Sequence, residues 1–423
     1  MLYCASDAEK IEMGTSFDTL TMPGEALTTR AIRSLDELLD LSQAWDELLS
    51  EYPLATTFSS LEWLTSWWQS FGKNRQFVVF ALLDADSRLI GVAPLSISRQ
   101  RFGGFLWLRV LRFMGDGSGD SDNLDFPVRP GFEKRFAQAL LQYFEQQKRE
   151  WDLCRLNTAP AESPLVRSLA ELLNTKWVSF EYSSPSSAIP LPPTWDEYLQ
   201  RLSSEDRKNL ERYGRRLEKR YSTKIYRCTQ ESELQTCLEA LFRLHQLRWE
   251  NAGESGSFTS PARREFYGRL SRSLLKRGLL ELWVMELDGA IVAVQFAFRF
   301  RDEVFQLQEG YDPERASDRV GFILRGAVIR QLISERIRIY DFLGGMDPHK
   351  LRWGAEVGSY KNLHFANSLS VGGLWLRYVH FAGRSKSYLR AALPGSVWNF
   401  LHRINLILKG EKENKAEGGA KVK

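Results

Sequence analysis

Two stretches of the chain run apolar, broken only by short polar turns. FVVFALLD and LIGVAPLSIS flank Ala85-Asp86-Ser87-Arg88. LLELWVMEL, IVAVQFAFRF and VFQLQEGYD are joined at Asp288-Gly289 and Arg301-Asp302. Apolar runs separated by polar two- to four-residue turns predict β-hairpins. Elsewhere the apolar positions repeat at helical spacing. Leu35, Leu38, Leu39, Leu41, Trp45, Leu48 and Leu49 follow Ser34, which predicts a capped helix with acidic residues near its start. Further helices are predicted over Ser60–Phe71, Glu133–Arg149, Leu165–Asn174, Trp195 to about Tyr221, Glu231–Trp249 and Arg263–Arg277. Phe322, Leu324, Val328, Ile329, Leu332 and Ile333 share one helical face. Short strands are expected at Leu27–Ile32, Trp151–Asn157, Lys224–Cys228 and Ile337–Leu343, the last ending in Gly344-Gly345.

These elements come in the same order twice: helices, hairpin, loop, helix, strand. FVVFALLDADSRLIGVAPLSI matches LLELWVMELDGAIVAVQFAF by pattern, and WDLCRLN matches IRIYDFLG. The pattern predicts two copies of one α/β domain with a mixed sheet, each of ordinary domain size. The expected division is an unstructured segment over 1–26, a first domain over 27–189 and a second over 194–367. Pro190, Pro192 and Pro193 mark the linker. A helical extension over 368–409 and an unstructured tail over 410–423 complete it. Within that extension Ser396–Lys409 is apolar on one side and basic on the other, suited to docking or to an anionic membrane surface.

Composition changes little in this picture. At 43% hydrophobic and 26% charged residues, the 423-residue chain has globular proportions. A net charge of +4 gives no general case for nucleic acid, although ten Lys or Arg against three Asp or Glu fall from Arg377 onward. The four cysteines form no CxxC and no Cys/His cluster, so neither a disulfide framework nor a metal site is expected. The first residues lack an apolar core of the signal-peptide kind, and no apolar run reaches spanning length, so the expected location is cytoplasmic.

The chemistry concentrates in Phe305–Gly354. A polar loop leads through Gly321 into a helix, where backbone N–H groups can meet a phosphate. A strand then delivers Asp341 and ends in a loop carrying Asp347, His349, Lys350 and Trp353. Asp341 lies among Ile, Tyr, Phe and Leu, so it is either buried with a raised pKa or paired with a cation. Glu309 stands at the end of the hairpin strand, and Tyr311 follows it beside Pro313. Two features are read more plainly. Met114–Asn123, MGDGSGDSDN, is expected to be a flexible connection, because its aspartates repel phosphate. The basic run Arg207, Lys208, Arg212, Arg215, Arg216, Lys219 and Arg220 is either a solvated face or an anion-binding arm.

LHQLRWE, the hairpin with GYDP, Ser317-x-Arg319-x-Gly321-x-x-Leu324, and YDFLGG followed by HKLRWG together resemble the CelD-type acyltransferases. These belong to the GNAT superfamily and are similar to the Fem peptidyltransferases in having tandem GNAT-like domains. The resemblance covers about residues 27–366. It implies an acyl-CoA donor, acetyl-CoA first among them, and an amine or hydroxyl acceptor such as a sugar or polysaccharide precursor in envelope or cellulose-type synthesis. Ser317, Arg319, Val320, Gly321 and Phe322 then form the donor loop, which is one residue shorter than the usual Arg/Gln-x-x-Gly-x-Gly/Ala and lacks its second glycine. Asp341, Glu309 and Tyr311 become the catalytic candidates, and His245, Arg248, Trp249 and Lys350 the acceptor-binding ones. The Fem likeness also implies an alternative, aminoacyl transfer from charged tRNA. A further one is a non-catalytic subunit associated peripherally with a membrane polysaccharide synthase.

Overall fold

The computed structural model describes residues 18–22, 25–251, 253 and 256–392. Among them thirteen strands make one mixed sheet. They are β1 (Asp18–Met22), β2 (Glu25–Ile32), β3 (Arg75–Leu83), β4 (Leu89–Phe102), β5 (Leu106–Phe113), β6 (Leu153–Pro160) and β7 (Trp177–Pro190), followed by β8 (Thr223–Arg227), β9 (Leu280–Leu287), β10 (Ala290–Phe300), β11 (Glu303–Tyr311), β12 (Ile339–Gly344) and β13 (Glu356–Asn367). Their order across the sheet is β1-β2-β3-β4-β5-β6-β13-β7-β12-β11-β10-β9-β8.

Counted inward from the two edges, β2-β3-β4-β5-β6 mirrors β8-β9-β10-β11-β12. In each run only the last pair is parallel, β5 with β6 and β11 with β12. The two central strands are exchanged. β7 follows β6 in the chain but pairs with β12, while β13 follows β12 and pairs with β6. β7 and β13 then run antiparallel to each other along the middle of the sheet. The ranges 27–189 and 194–367 therefore do not each close their own sheet.

Neighbouring residues on a strand point to opposite faces, so both faces of an α/β sheet need cover. On β3, Phe77 meets Trp68 of the helix Leu61–Phe71 at 4.9 Å, and Phe80 meets Phe136 of the helix Glu133–Gln146 at 5.6 Å. In the second half, Phe296 of β10 meets Tyr267 of the helix Pro261–Lys276 at 4.9 Å. The other face joins Ala293 and Ala297 to Leu324 and Val328 of the helix Val320–Ser334.

Several elements differ from the sequence reading. The single helix expected over 195–221 is two, Trp195–Arg201 and Ser204–Arg220. Ser203 caps the second through its Oγ, 3.0 Å from the Asp206 backbone N, which ends the first helix. The helix after Ser34 likewise divides into Leu35–Leu39 and Ser42–Glu51. Residues 18–22, assigned to an unstructured segment, form β1 against β2. β5 and β13 were not anticipated, because LWLRVLRF carries arginines inside its apolar run and EVGSYKNLHFAN has no apolar run at its start. The helix after β13 runs Val371–Ala392, and the segments 396–409 and 410–423 lie outside the described residues. Among the described residues no helix is long and apolar enough to cross a membrane.

One irregularity prepares the site. Along β10 and β11, Ala297 faces Gln306 and Phe296 faces Gln308, so Leu307 is an extra residue. A bulge of this kind bends the strand. It lies just beyond Phe305–Asp341, the last pair between β11 and β12, so these parallel strands part immediately afterwards.

Candidate active site

A cavity of about 550 Å3 opens where β11 leaves β12. Its walls are Glu309 and Tyr311 from β11, residues 316, 317 and 319–322 around the start of the helix Val320–Ser334, Arg325 inside that helix, Tyr213, and His349, Arg352 and Trp353 from the segment after β12. Ser317, Arg319, Val320, Gly321, Phe322, Glu309 and Tyr311 are thus brought together as the sequence suggested.

The helix start is built for an anion. Arg319 precedes it with φ +56°, in the left-handed region that residues with a side chain seldom adopt. No side chain caps the first turn, which contains no acidic residue. Its leading N–H groups and the positive end of the helix dipole remain available. Gly321 lies against Tyr311; a Cβ there would stand 3.3 Å from Tyr311 Cδ1, a tight contact that glycine avoids while leaving the backbone open. Val320 turns its side chain into the core and offers backbone alone, while Phe322 rests on Trp353 at 4.8 Å.

Glu309 is held between two arginines. It pairs with Arg248 at 3.0 Å and with buried Arg325. Burial would raise its pKa, but Arg325 and then Arg248 outweigh that and hold it below the usual carboxylate range. Glu309 is therefore a fixed charge rather than a base tuned to neutrality. His349 stands on the same cavity. Burial and Arg325 lower its pKa, so near neutral pH its imidazole is uncharged and able to accept a proton.

Asp341, Lys350, His245 and Trp249 do not line this cavity. Asp341 lines a separate cavity of about 340 Å3 with Asn123, Glu162, Ser186, Glu356, Ser359 and Tyr360. Its Oδ1 accepts the Leu343 N–H at 2.6 Å, and Asn123 Nδ2 is 3.4 Å from Oδ2. Burial, reinforced by Asp122, raises its pKa to about 7. Lys350 is buried. Its Nζ donates to the carbonyls of Gly344 at 2.7 Å and Phe342 at 3.2 Å, where the register of β12 against β7 shifts. His245 is a core residue: Trp249 donates to its Nε2 at 2.9 Å, Phe258 packs edge-on at 4.8 Å, and burial followed by Arg248 lowers its pKa to about 4. Trp249 spends its N–H on this contact, and of the LHQLRWE residues only Arg248 reaches Glu309.

The loop 114–124 is not a free connection. Asp120 accepts from Arg263 at 3.0 Å and Tyr267 at 3.1 Å, Asp122 accepts the Gly344 N–H at 2.9 Å, and Asn123 reaches Asp341. Its acidic residues thereby bind the first half of the sheet to the second. Several arginines of the basic helix Ser204–Arg220 are engaged within the protein. Arg216 and Arg220 face buried Asp318 at 3.4 and 3.1 Å, Arg215 pairs with Glu211, and Arg212 bonds Asn209 and Tyr213.

The sequence reading gave no role to Arg325 or Arg352, and named His349 only as part of the loop. The signal for Arg325 was an arginine within the apolar face Ile323, Leu324, Val328, which requires a buried counter-charge; Glu309 was the available one. His349 and Arg352 stand inside the HKLRWG motif beside Lys350.

Residues 204–351 match the family model of the acetyltransferase (GNAT) domain. The second half carries a GNAT acyltransferase domain. The solved structure of FemX is similar over 79% of this chain and 96% of its own, at 12% identity and a TM-score of 0.53, which supports the same fold. A tandem GNAT protein from the clavulanic acid biosynthesis pathway covers 80% of this chain and 98% of its own at 13% identity and a TM-score of 0.45. L-PGS from Bacillus licheniformis covers 78% and 93% at 13% identity and a TM-score of 0.46. No curated protein matches the chain. The domain match implies acyl-CoA use in general, and the uncapped helix start, Arg319 and the open backbone at Gly321 fit its phosphates.

Proposed function

We propose that the second half transfers an acyl group from acyl-CoA to an amine or hydroxyl. The observation that carries this reading is the uncapped helix start behind left-handed Arg319, opening on a cavity that also holds Glu309, Tyr311 and His349. Backbone N–H groups of Val320, Gly321 and Phe322 receive the pyrophosphate, with Arg319 beside them. The donor supplies an activated thioester. Neutral His349 takes the acceptor proton, Glu309 fixes Arg248 and Arg325 around the reacting carbonyl, and Tyr311 protonates the departing thiolate. The acceptor we infer is a sugar or polysaccharide precursor of the kind met by CelD-type enzymes. Peripheral association with a membrane polysaccharide synthase belongs to the same proposal. Aminoacyl transfer from tRNA is favoured less, because the basic helix keeps most of its arginines paired within the protein.

Titration calorimetry with acetyl-CoA tests the donor. Wild-type protein should bind it, and Gly321→Val, which places a branched side chain against Tyr311, should weaken binding about a hundredfold. Absence of binding to acetyl-CoA and longer acyl-CoAs by the wild type would overturn the proposal.

A further inference from the structure

The first half gathers three arginines where β5 leaves β6. Arg112 and Arg155 are direct partners in the parallel ladder, and Arg75 arrives from β3. Arg112 is 7% exposed, while Arg75 and Arg155 are half-buried. The partners they have are few. Arg112 Nη2 donates to Gln100 Oε1 at 2.5 Å, and its Nη1 stands 3.8 Å from Asp116 Oδ2. Arg75 Nε donates to the Phe71 carbonyl at 3.0 Å, with its guanidinium over the Trp67 ring at 4.9 Å. The Arg155 side chain makes no hydrogen bond to any described residue. Arg112 Nε, Arg155 Nε and Arg75 Nη1 are all buried without a partner.

Charge is equally unbalanced. Asp116 is the carboxylate acting on all three, and it also accepts from Asn157 Nδ2 at 2.9 Å. His364, opposite Arg155 in the ladder, adds no charge, because burial and then Arg155 and Arg112 lower its pKa to about 3. Burial and repulsion from Arg112 lower the pKa of both Arg75 and Arg155. Gly117, at φ +92°, lets the loop approach; a Cβ there would stand 3.0 Å from Arg112 Nη1 and 3.7 Å from Arg75 Nη1. Like charges gathered out of water with unfilled donors are destabilising by themselves. The carboxyl ends of parallel strands are also where α/β sheets receive ligands.

We propose that Arg75, Arg112 and Arg155 form a second binding site, for a phosphoryl group carried on a ligand. Guanidinium forks match phosphate oxygens in pairs, and three arginines against one aspartate suit a phosphomonoester dianion better than a monovalent carboxylate. The site does not depend on the acyl-transfer reading. It does reach the second half, because the loop that carries Asp116 and Gly117 continues to Asp120, Asp122 and Asn123, bonded to Arg263, Gly344 and Asp341.

The test is titration of the full chain with inorganic phosphate, methyl phosphate and acetate, monitored by calorimetry and thermal shift. Wild type, Arg112→Gln, Arg155→Gln and Gly321→Val are compared. Phosphate and methyl phosphate should bind this site in wild type, the site should persist in Gly321→Val whatever that variant loses at the helix start, and binding to it should be at least about tenfold weaker in Arg155→Gln, the worth of one charge-assisted hydrogen bond. Without phosphate, Arg112→Gln and Arg155→Gln should melt no lower than wild type, since each relieves repulsion. Phosphate binding lost in Gly321→Val but kept in Arg155→Gln would assign the anion to the other half and overturn the proposal. So would no binding at millimolar phosphate, or acetate binding as tightly as methyl phosphate.

Discussion

The two halves put opposite chemistry at the same point of one frame. Where the parallel strands make their last pair, the first half has Arg112 beside Arg155 and the second has Phe305 beside Asp341. Four residues further along the same strand direction stand Asp116 and Glu309. Glu309 is neutralised by Arg248 and Arg325, whereas Asp116 faces three arginines alone. The helices that follow differ as well. The first begins Glu133-Lys134, with the Glu133 carboxylate folded onto the Gly131 N–H at 2.9 Å, and the second begins Val320-Gly321 with no acid. β11 carries a bulge at its opening, while β4 and β5 pair in regular register throughout. A donor site in this fold needs a strand bent away and a helix start cleared of acids. The first copy has neither, and its arginines suit it to a different anion.

The comparison can be broken at several points. The strongest is the helix start: Gly321→Val should weaken acetyl-CoA binding about a hundredfold, while Lys134→Val at the matching position should leave it unchanged. Equal losses would mean that both helices bind the donor. Next is the base. Removing His349 with Gln should lower kcat/KM about a hundredfold. The pH profile separates it from Asp341, because a depressed imidazole keeps kcat/KM flat through neutrality and loses it only below the usual histidine range. A limb near pH 7 that vanishes in Asp341→Asn would move the base to the other cavity.

Stability offers smaller effects. Buried Glu281 faces Arg227 and Arg299, and Trp283 Nε1 donates to it at 2.8 Å. Glu281→Gln should cost about 3 kcal/mol in urea unfolding, as a buried pair broken on one side. In the first half, Asp125 is held by neutral donors, Tyr52 at 2.5 Å and Ser163 at 3.0 Å. Asp125→Asn should cost less, about 1–2 kcal/mol. A pH-dependent effect concerns Asp341. Its folded pKa, about 7, lies above the unfolded value, so the folded state holds the proton more tightly. Wild-type stability from this group is full below the unfolded pKa and is lost as pH rises to about 7. Asp341→Asn should therefore melt a few degrees higher than wild type at pH 8 and converge with it near pH 4. A constant difference at both pH values would contradict the assignment.

Much of this was readable in the chain. A continuous apolar run fixes a strand wherever both faces are buried, so β3, β4 and β9 to β11 were plain, and so was the loop leading through Gly321 into a helix. What failed has common causes. β13 is polar because its first residues, Glu356–Ser359, are exposed, and the same stretch leads the strand exchange that no local pattern encodes. The aspartates of MGDGSGDSDN looked unsuited to structure because their partners, Arg263, Tyr267 and the Gly344 N–H, lie more than a hundred residues away. Lys350 and His245 sat in the right motifs, yet burial directed one to carbonyls and the other to a tryptophan.

The strand exchange also governs how the protein is made. β6 leaves the ribosome with its outer edge bare, and the strand that covers it, β13, follows about two hundred residues later. At synthesis rates of roughly 5–20 residues per second, the first half waits on the order of 10–40 s with an unpaired edge, the kind of surface that recruits other chains. Successful production of the protein therefore turns on what shields that edge during translation, and a slower ribosome lengthens the exposure in proportion.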